Sequence, residues 1–188
     1  MTFKRSSLFY SHQQSGAGFI EHQGWEIPAF FLSPEKEVAR VRESVGLSDQ
    51  SYLLKFDLKE RPTQGRWRLG ADHYLLMGEP PMDAPHGAID VSGVYTGLRL
   101  AGPRSRETLV RLTSVNVSDA ALPNQRCVQT SVAHAHAIVM REDIGSTLAF
   151  HLLISREFGE SVWESIMHAG REFNLCPFGL TALELLHP

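Results

Sequence analysis

The first clear structural signal lies in SPEKEVARVRESVGLSDQSYLLKF, residues 33–56. Ser33 is suited to cap a helix, and Pro34 stands at the first helical position, where its missing N–H costs nothing. Apolar residues then recur at helical spacing, at Val38, Val41 and Val45. Gly46 is the expected left-handed end of this helix. A strand is predicted from Tyr52 to Leu58, so the stretch predicts a helix that leads into a sheet.

The rest of the chain divides into two similar units around this pattern. Strands of the first unit are predicted at Tyr52–Leu58, Arg66–Leu69 and His73–Met77. Residues 79–87 are rich in proline and glycine, which favours a linker. The order is then repeated, with a strand at 96–101, a helix that opens at Pro103 and a later helix capped by Ser155. Between the two helices, strands are predicted at 126–132, 135–141 and 147–154.

This repeated order predicts an α+β architecture in which helices pack on antiparallel sheets. Each unit is too small to bury a sufficient core by itself, so we expect two similar helix-plus-sheet lobes in one folded body. The expected boundaries are a first lobe at about 1–78, a linker at about 79–87 and a second lobe at about 88–188, within one domain of residues 1–188.

Composition excludes several classes of protein. Eighteen lysines and arginines stand against 21 acidic residues, a net charge of −3, so no nucleic-acid partner is expected. No apolar run reaches the roughly 18 residues of a membrane span, and the opening residues lack the apolar core of a signal peptide. The two cysteines, Cys127 and Cys176, have no metal-binding spacing and fit a reducing compartment. We therefore expect a cytoplasmic protein without a membrane partner.

Two regions carry a resemblance to a known family. The first has Gly24, Trp25 and Pro28 before the helix and Gly46, Leu47, Asp49, Ser51, Lys55 and Phe56 after it. The second comprises LRLAGPRSRETLVRL (98–112), FHLLISREFGESVWESIMHAG (150–170) and CPFGLTALELL (176–186). Together they resemble the glycine-cleavage T-protein (aminomethyltransferase) family. The second region is most similar to the small gamma subunit of heterotetrameric sarcosine oxidase.

The resemblance implies a T-protein-like, folate-binding body in a shortened form, with the C-terminal barrel of the family absent. It implies tetrahydrofolate or a derivative as the cofactor. It also implies a protein partner, either a larger subunit or further copies of this chain.

The same resemblance assigns the site residues. Asp90 matches a carboxylate that serves one-carbon transfer, although an aspartate after a proline- and glycine-rich linker is more commonly a turn residue. His151 takes the place of a glutamate that holds the pterin ring, and a neutral imidazole offers one acceptor where a carboxylate offers two. The other expected ligand contacts are Tyr52, Tyr95, Trp25 and Glu184. A buried histidine at 151 and a core tryptophan at 25 are the structural alternatives.

A metal site is not expected. His134 and His136 have the spacing of two ligands on one face of a strand, but no third ligand accompanies them.

The leading interpretation is therefore a folate-binding subunit of one-carbon or methylamine metabolism, non-catalytic or weakly catalytic, that acts with a partner chain. The first alternative is a tetrahydrofolate-dependent aminomethyltransferase or methyltransferase that uses Asp90 as its acid or base. The second is a scaffold subunit that has lost its ligand. Because His151 offers a single acceptor, any affinity for tetrahydrofolate is expected to be weak.

Overall fold

A computed structural model of the chain describes residues 3–59 and 66–187. The α-helices in this part are α1 (Phe9–Gln14), α2 (Pro34–Glu43), α3 (Ser105–Leu109), α4 (Gly159–Ala169) and α5 (Leu180–Leu186). The strands are β1 (Gly18–His22), β2 (Trp25–Phe30), β3 (Gly46–Asp49), β4 (Leu54–Leu58), β5 (Arg66–Gly70), β6 (His73–Gly78), β7 (Ile89–Asp90), β8 (Tyr95–Ala101), β9 (Arg126–Val132), β10 (Ala135–Arg141), β11 (Ala149–Ser155) and β12 (Cys176–Pro177).

A six-stranded sheet lies at the centre, in the order β12-β3-β8-β11-β10-β9. Its neighbouring strands are antiparallel except for β12 and β3, which run parallel. β3 precedes residues 79–87 and β8 follows them, so strands from both halves of the chain pair directly in this sheet.

The two faces of the six-stranded sheet pack against different layers. Alternation along β11 directs Phe150, Leu152 and Ile154 into the core that includes Trp163 and Ile166 of α4. On the opposite face, Leu153 packs with Ile138 and Met140 against side chains of a four-stranded sheet, β5-β6-β4-β7, among them Trp67 and Leu75. His151 shares this second face because it is two residues from Leu153. His151, the candidate site residue on β11, therefore faces the four-stranded sheet.

The α+β prediction is confirmed: antiparallel sheets are covered by helices, and residues 3–59 and 66–187 form no barrel. The strands at 126–132 and 135–141 have the predicted bounds. The N-terminal hairpin of β1 and β2 was not predicted. Its two-residue turn, Gln23-Gly24, has positive φ at both positions, which is the geometry that two-residue hairpin loops favour.

Gly46 has a different role from the predicted one. The helix ends at Glu43, and Gly46 begins β3. A Cβ atom at this position would lie 2.5 Å from Cγ2 of Val41 and 2.6 Å from Cδ1 of Phe178. Glycine is needed here because β3 passes close to side chains of two other segments, and the residue does not adopt the left-handed conformation.

Glu37 of α2 is fully buried and binds backbone from two distant parts of the chain. Its Oε1 accepts hydrogen bonds from the N–H groups of Phe31 at 2.5 Å and Leu32 at 2.7 Å. Its Oε2 accepts one from the N–H of Gly179 at 2.9 Å. The end of β2 and the start of α5 are thereby joined through one side chain. We propose on this basis, and from the shared sheet, that the domain folds as one cooperative unit.

The substitution Glu37→Gln is expected to destabilise the whole domain. A glutamine presents an NH₂ group to one of the backbone donors, and each buried N–H left unsatisfied costs about 1–3 kcal/mol. The free energy of unfolding should therefore fall by at least that amount. Urea unfolding followed by both tryptophan fluorescence and circular dichroism measures the change.

The control is Glu35→Gln, an exposed position in the same first turn of α2. It removes a charge from the helix N-terminus, at a cost of up to about 1 kcal/mol, without touching the buried bonds. Equal stability of the two variants would refute the role of Glu37. Two separate transitions, reported by the two probes, would refute the single cooperative unit.

Candidate functional site

A row of cross-strand neighbours crosses the face of the six-stranded sheet that meets the four-stranded sheet. Ser48 of β3, Arg99 of β8, His151 of β11 and Met140 of β10 stand opposite one another in the strand register. All four are buried. Arg99 and His151 thus form a polar pair within an apolar layer, and burial of such groups requires hydrogen-bond partners.

Glu142, the residue after β10, is the hydrogen-bond partner of both Arg99 and His151. Its Oε2 lies 2.9 Å from Nε2 of His151. Arg99 donates from Nη2 to the main-chain oxygen of Glu142 at 2.6 Å, and its Nη1 lies 3.4 Å from Oε2. The side chain of Glu142 is 40% exposed, whereas those of Arg99 and His151 are 3% and 7% exposed. Glu142 therefore connects the buried pair to the surface.

The protonation states of this cluster follow from its surroundings. Burial, and then the positive charge of Arg99, lower the pKa of His151 to about 4. The hydrogen bond from His151 lowers the pKa of Glu142 to about 2, against the opposing effect of its burial. At neutral pH the imidazole is neutral and the carboxylate is ionised. Nε2 of His151 must then carry the proton and donate it, because an ionised carboxylate only accepts.

Lys55 is fully buried and supports the turn before β4. Its Nζ donates to the main-chain oxygens of Ser51 at 3.1 Å and Leu53 at 2.7 Å, the two residues that flank Tyr52. Burial lowers the pKa of Lys55 to about 8. Lys55 therefore holds the backbone that carries Tyr52.

Tyr52 lies between this turn and the N-terminal hairpin. Its hydroxyl donates to Oε1 of Glu79 at 2.8 Å, and its ring meets that of His22 edge-on at 5.1 Å between centroids. Trp25 is buried in the same apolar cluster. Burial, followed by the charge and hydrogen bond of Glu79, raises the pKa of Tyr52, and the exposed Glu184 of α5 adds to this effect. Tyr52 and Trp25 therefore lie in one apolar cluster, while Glu184 is exposed on α5 and acts on Tyr52 through its charge.

Asp90 lies on β7 and is exposed. Its Oδ1 accepts the N–H of Ser92 at 2.8 Å, which is an Asx turn. Hydrogen bonds from Ser92 lower the pKa of Asp90, and the charges of Lys4 and Lys55 act in the same direction. Asp90 is therefore ionised at neutral pH.

Tyr95, at the start of β8, is half-buried and packs against the cluster that includes Trp67 and Leu75. Burial raises the pKa of its hydroxyl, with a smaller effect from the charge of Asp57. Its apolar neighbours place it in the layer between the two sheets.

Sequence reasoning missed Arg99, Lys55 and Glu142. Arg99 stands between two leucines in a strand, and Lys55 between Leu54 and Phe56. Alternation directs Arg99 and Lys55 to the strand face opposite these apolar neighbours, a face that more often meets solvent, so the pattern gives no signal of their burial. Glu142 has no signal either, because it is one of three successive charged residues after the apolar part of β10.

His134 and His136 are both exposed, and His134 lies in a turn with positive φ. Within residues 3–59 and 66–187, no three histidine, cysteine, aspartate or glutamate side chains are grouped so as to hold a metal ion. None of the helices described is both long enough and apolar enough to cross a membrane.

A cleft of about 1240 Å³ lies on the helix side of the molecule. Its lining includes Arg40, Arg104 and Arg171 together with Glu43 and Glu164, so charges of both signs meet there. None of the six sequence-predicted site residues lines this cleft. Arg99 and His151 are buried on the face of the six-stranded sheet that meets the four-stranded sheet, and the candidate site is assigned to that face.

This arrangement of antiparallel sheets and helices is the T-protein-like fold. The glycine cleavage system aminomethyltransferase T from Bartonella henselae superposes with a TM-score of 0.78 at 15% identity, over 98% of this chain and 62% of that one. A chain of the heterotetrameric sarcosine oxidase from Corynebacterium sp. U-96, in complex with pyrrole 2-carboxylate, gives a TM-score of 0.65 at 16% identity, over 90% of this chain and 96% of that one. At sequence identities this low, the two comparisons show similarity of fold alone.

The amino-acid sequence shows which family this chain belongs to. The model of the GCVT N-terminal domain matches residues 73–187, and the chain belongs to this family. An aminomethyltransferase of Geobacillus sp. (strain WCH70) is 26% identical over 97% of this chain. The chain covers 63% of that relative, which is less than two thirds of its length. The resemblance to the T-protein family is confirmed.

The substitution His151→Gln is expected to change how stability depends on pH. The pKa of His151 is lowered to about 4 in the folded chain from a usual 6.5, so the unfolded chain binds a proton first as the pH falls. His151 therefore contributes stability that is complete above pH 6.5 and is lost towards pH 4. The slope from this group is at most about 1.4 kcal/mol per pH unit.

Urea unfolding between pH 7.5 and about pH 4.5 tests this. Glutamine keeps an N–H donor for Glu142, so the variant should fold and should show a flatter curve. His136→Gln, at an exposed position, is the control and should keep the wild-type slope. Parallel curves for wild type and His151→Gln would contradict the burial of a neutral imidazole.

Proposed function

We propose that this chain is a folate-binding subunit that acts with a second chain. It holds a reduced folate at the face of the six-stranded sheet that meets the four-stranded sheet. In this proposal it is itself non-catalytic or weakly catalytic. The observation that carries it is the cluster of Glu142, Arg99 and His151. An ionised, part-exposed carboxylate stands there beside a buried cation, in a member of the GCVT N-terminal domain family.

The donors and acceptors of this cluster suit the flat, polar ring of a folate. Glu142 supplies a carboxylate acceptor, and Arg99 has a buried Nε–H without a partner among the residues described. Small-molecule sites commonly combine a few converging polar groups with apolar and aromatic walls. A bound reduced folate carries the one-carbon unit, and the residues named here bind and orient its ring.

The ionised state of Asp90 counts against a role as a general acid. A general acid must be protonated at the working pH, and the hydrogen bonds from Ser92 lower the pKa of this carboxyl. The alternative, an aminomethyltransferase or methyltransferase, requires Asp90 to act as a base. The name of the curated relatives supports that alternative, but this chain covers 63% of such a relative. The activity of the whole enzyme is therefore not transferred to it here.

A partner chain is supported by two observations. The Corynebacterium sarcosine oxidase is a heterotetramer, and one of its chains is matched over 96% of its length. The N-terminal part of this chain also exposes large apolar side chains, namely Phe3, Ile20, Phe30 and Leu32. Exposed large apolar side chains in one segment of the chain favour a protein interface there. We place this assembly in the cytoplasm, where Cys127 and Cys176 stay free thiols.

Isothermal titration with 5-formyltetrahydrofolate tests the ligand. We expect a dissociation constant of roughly 1–100 µM, because Glu142 and Arg99 offer polar contacts while the part-exposed Glu142 leaves the site open to water. The control ligand is 4-aminobenzoylglutamate, which lacks the pterin ring and should bind far more weakly. Absence of binding at about 1 mM 5-formyltetrahydrofolate would reject the folate role and favour the scaffold alternative.

Sedimentation velocity of the pure protein tests the association. Self-association at micromolar concentration is expected if the partner is a further copy of this chain. Co-purification of one larger chain in a fixed ratio is expected if the partner is a separate subunit. A monomer at all concentrations, with no chain co-purifying in a fixed ratio, would contradict the proposed partner.

A further inference from the structure

The N-terminal hairpin has one open edge, which belongs to β1. β1 pairs with β2 in a two-stranded sheet. On the other side of β2, the main chain of Lys4 donates to the oxygen of Gly24 and accepts the N–H of Glu26, both at 2.9 Å. Among the residues that the structure describes, no segment pairs with the outer side of β1 in this way. An open edge presents unpaired N–H and C=O groups, which another strand can bind.

The register of the hairpin identifies which main-chain groups face this edge. Opposite residues of an antiparallel pair alternate between those that exchange hydrogen bonds and those that direct their N–H and C=O groups away from each other. Glu26 bonds to Lys4 and therefore points away from β1, so Glu21 opposite it points away from β2. Phe19, two residues before Glu21, points in the same direction, and its opposite residue Pro28 has no N–H to give. The open edge therefore carries the N–H and C=O groups of Phe19 and Glu21.

The spacing of these groups makes the edge complementary to itself. A second copy of β1 that runs antiparallel, with Ile20 opposite its own counterpart, places Phe19 of each copy opposite Glu21 of the other. Each of these two pairs exchanges two hydrogen bonds, so every open N–H and C=O group of Phe19 and Glu21 is satisfied. A two-fold axis at Phe19 or at Glu21 would form only two such bonds within β1. With the axis at Ile20, no two charged side chains stand directly opposite each other.

The side chain at the centre of this pairing also favours a second copy. Ile20 is 39% exposed, whereas Ile27, opposite it in the hairpin, is 4% exposed. The two copies of Ile20 would form a pair without mutual hydrogen bonds, whose Cα atoms lie about 4.5 Å apart and whose side chains touch. Edge strands that avoid such pairing commonly carry lysine or proline, and β1 has neither. The apolar side chain left exposed at the edge is therefore covered by its own counterpart.

We infer that β1 is the interface between two copies of this chain. The two N-terminal hairpins join into one antiparallel sheet in the order β2-β1-β1-β2, about a two-fold axis at Ile20. The inference specifies a further copy as the partner and is independent of folate binding. Because the contact involves one short strand from each copy, it is small, and we expect a reversible dimer with a dissociation constant of about 10–100 µM.

Sedimentation velocity of the wild type, Glu21→Pro and Glu21→Gln, from about 1 to 300 µM, tests the inference. Proline removes the N–H that faces the open edge, and edge strands tolerate it at such positions, so the hairpin should persist. Two of the four hydrogen bonds between the copies are then lost, and the dissociation constant should rise at least about tenfold. Glutamine keeps this N–H and an acceptor for the N–H of Gly24, which Glu21 binds at 2.9 Å. Glu21→Gln should therefore dimerise at least as strongly as the wild type.

Three outcomes would overturn the inference. The first is a wild type that stays monomeric over the whole range. The second is an equal dissociation constant for wild type and Glu21→Pro, because the copies would then associate through another surface. The third is an equal loss in Glu21→Pro and Glu21→Gln, because the side chain of Glu21 would then be responsible and not the main chain. Titration with a folate and co-purification of a larger chain remain separate tests of the proposed function.

Disulfide cross-linking keeps the inference testable if Glu21→Pro does not fold. Ile20→Cys places two thiols across the two-fold axis, within the Cα separation of roughly 4.4–6.8 Å that a disulfide requires. Under mild oxidation this variant should form a covalent dimer on a non-reducing gel. Lys36→Cys, at an exposed position of α2, is the control, and the wild type controls for Cys127 and Cys176. No more covalent dimer from Ile20→Cys than from Lys36→Cys would contradict the pairing of β1.

Discussion

The buried carboxylate of Glu37 is the constraint on which the placement of the surrounding elements depends. It accepts hydrogen bonds from the N–H groups of residues 31, 32 and 179, and residue 179 is far from the other two in the sequence. Gly179 has no room for a side chain, since a Cβ atom there would lie 2.1 Å from the main-chain oxygen of Ala29. The hairpin and α5 can therefore approach this closely only at a glycine. Trp25 and Tyr52 pack in the cluster that these elements enclose, so the same contact sets one wall of the candidate site.

The candidate site follows from the cost of burying a cation in a sheet. Arg99 is held between β3 and β11, where water cannot solvate its guanidinium group. Glu142 supplies the opposite charge from the end of β10, and its main-chain oxygen accepts as well. Removing one partner of a buried ion pair destabilises a protein by much more than the intact pair stabilises it. The cluster therefore constrains which residues can stand at positions 99, 142 and 151 together, independently of any ligand.

Sequence patterns predicted the regular part of the fold. The strands at 126–132 and 135–141 alternate clearly, and both their type and their bounds agree with the structure. The pairing of β3 with β8 could not be predicted, because it joins segments separated by the whole four-stranded sheet. His151 was found through the resemblance to a family, but its environment was not. The partner Glu142 comes from a neighbouring strand end, and only the register of β10 against β11 brings it within 2.9 Å.

The position of β3 in the sheet has a consequence for folding during synthesis. β3 lies between β12 and β8, and both of these strands follow it in the sequence. A chain emerging from the ribosome with its N-terminus first therefore carries β3 without either hydrogen-bonding neighbour until β8 has left the exit tunnel. Its second edge stays open until residues 176–177 emerge. Pairing between such distant segments is slow to form, and an unpaired strand edge can join that of another nascent chain in the meantime.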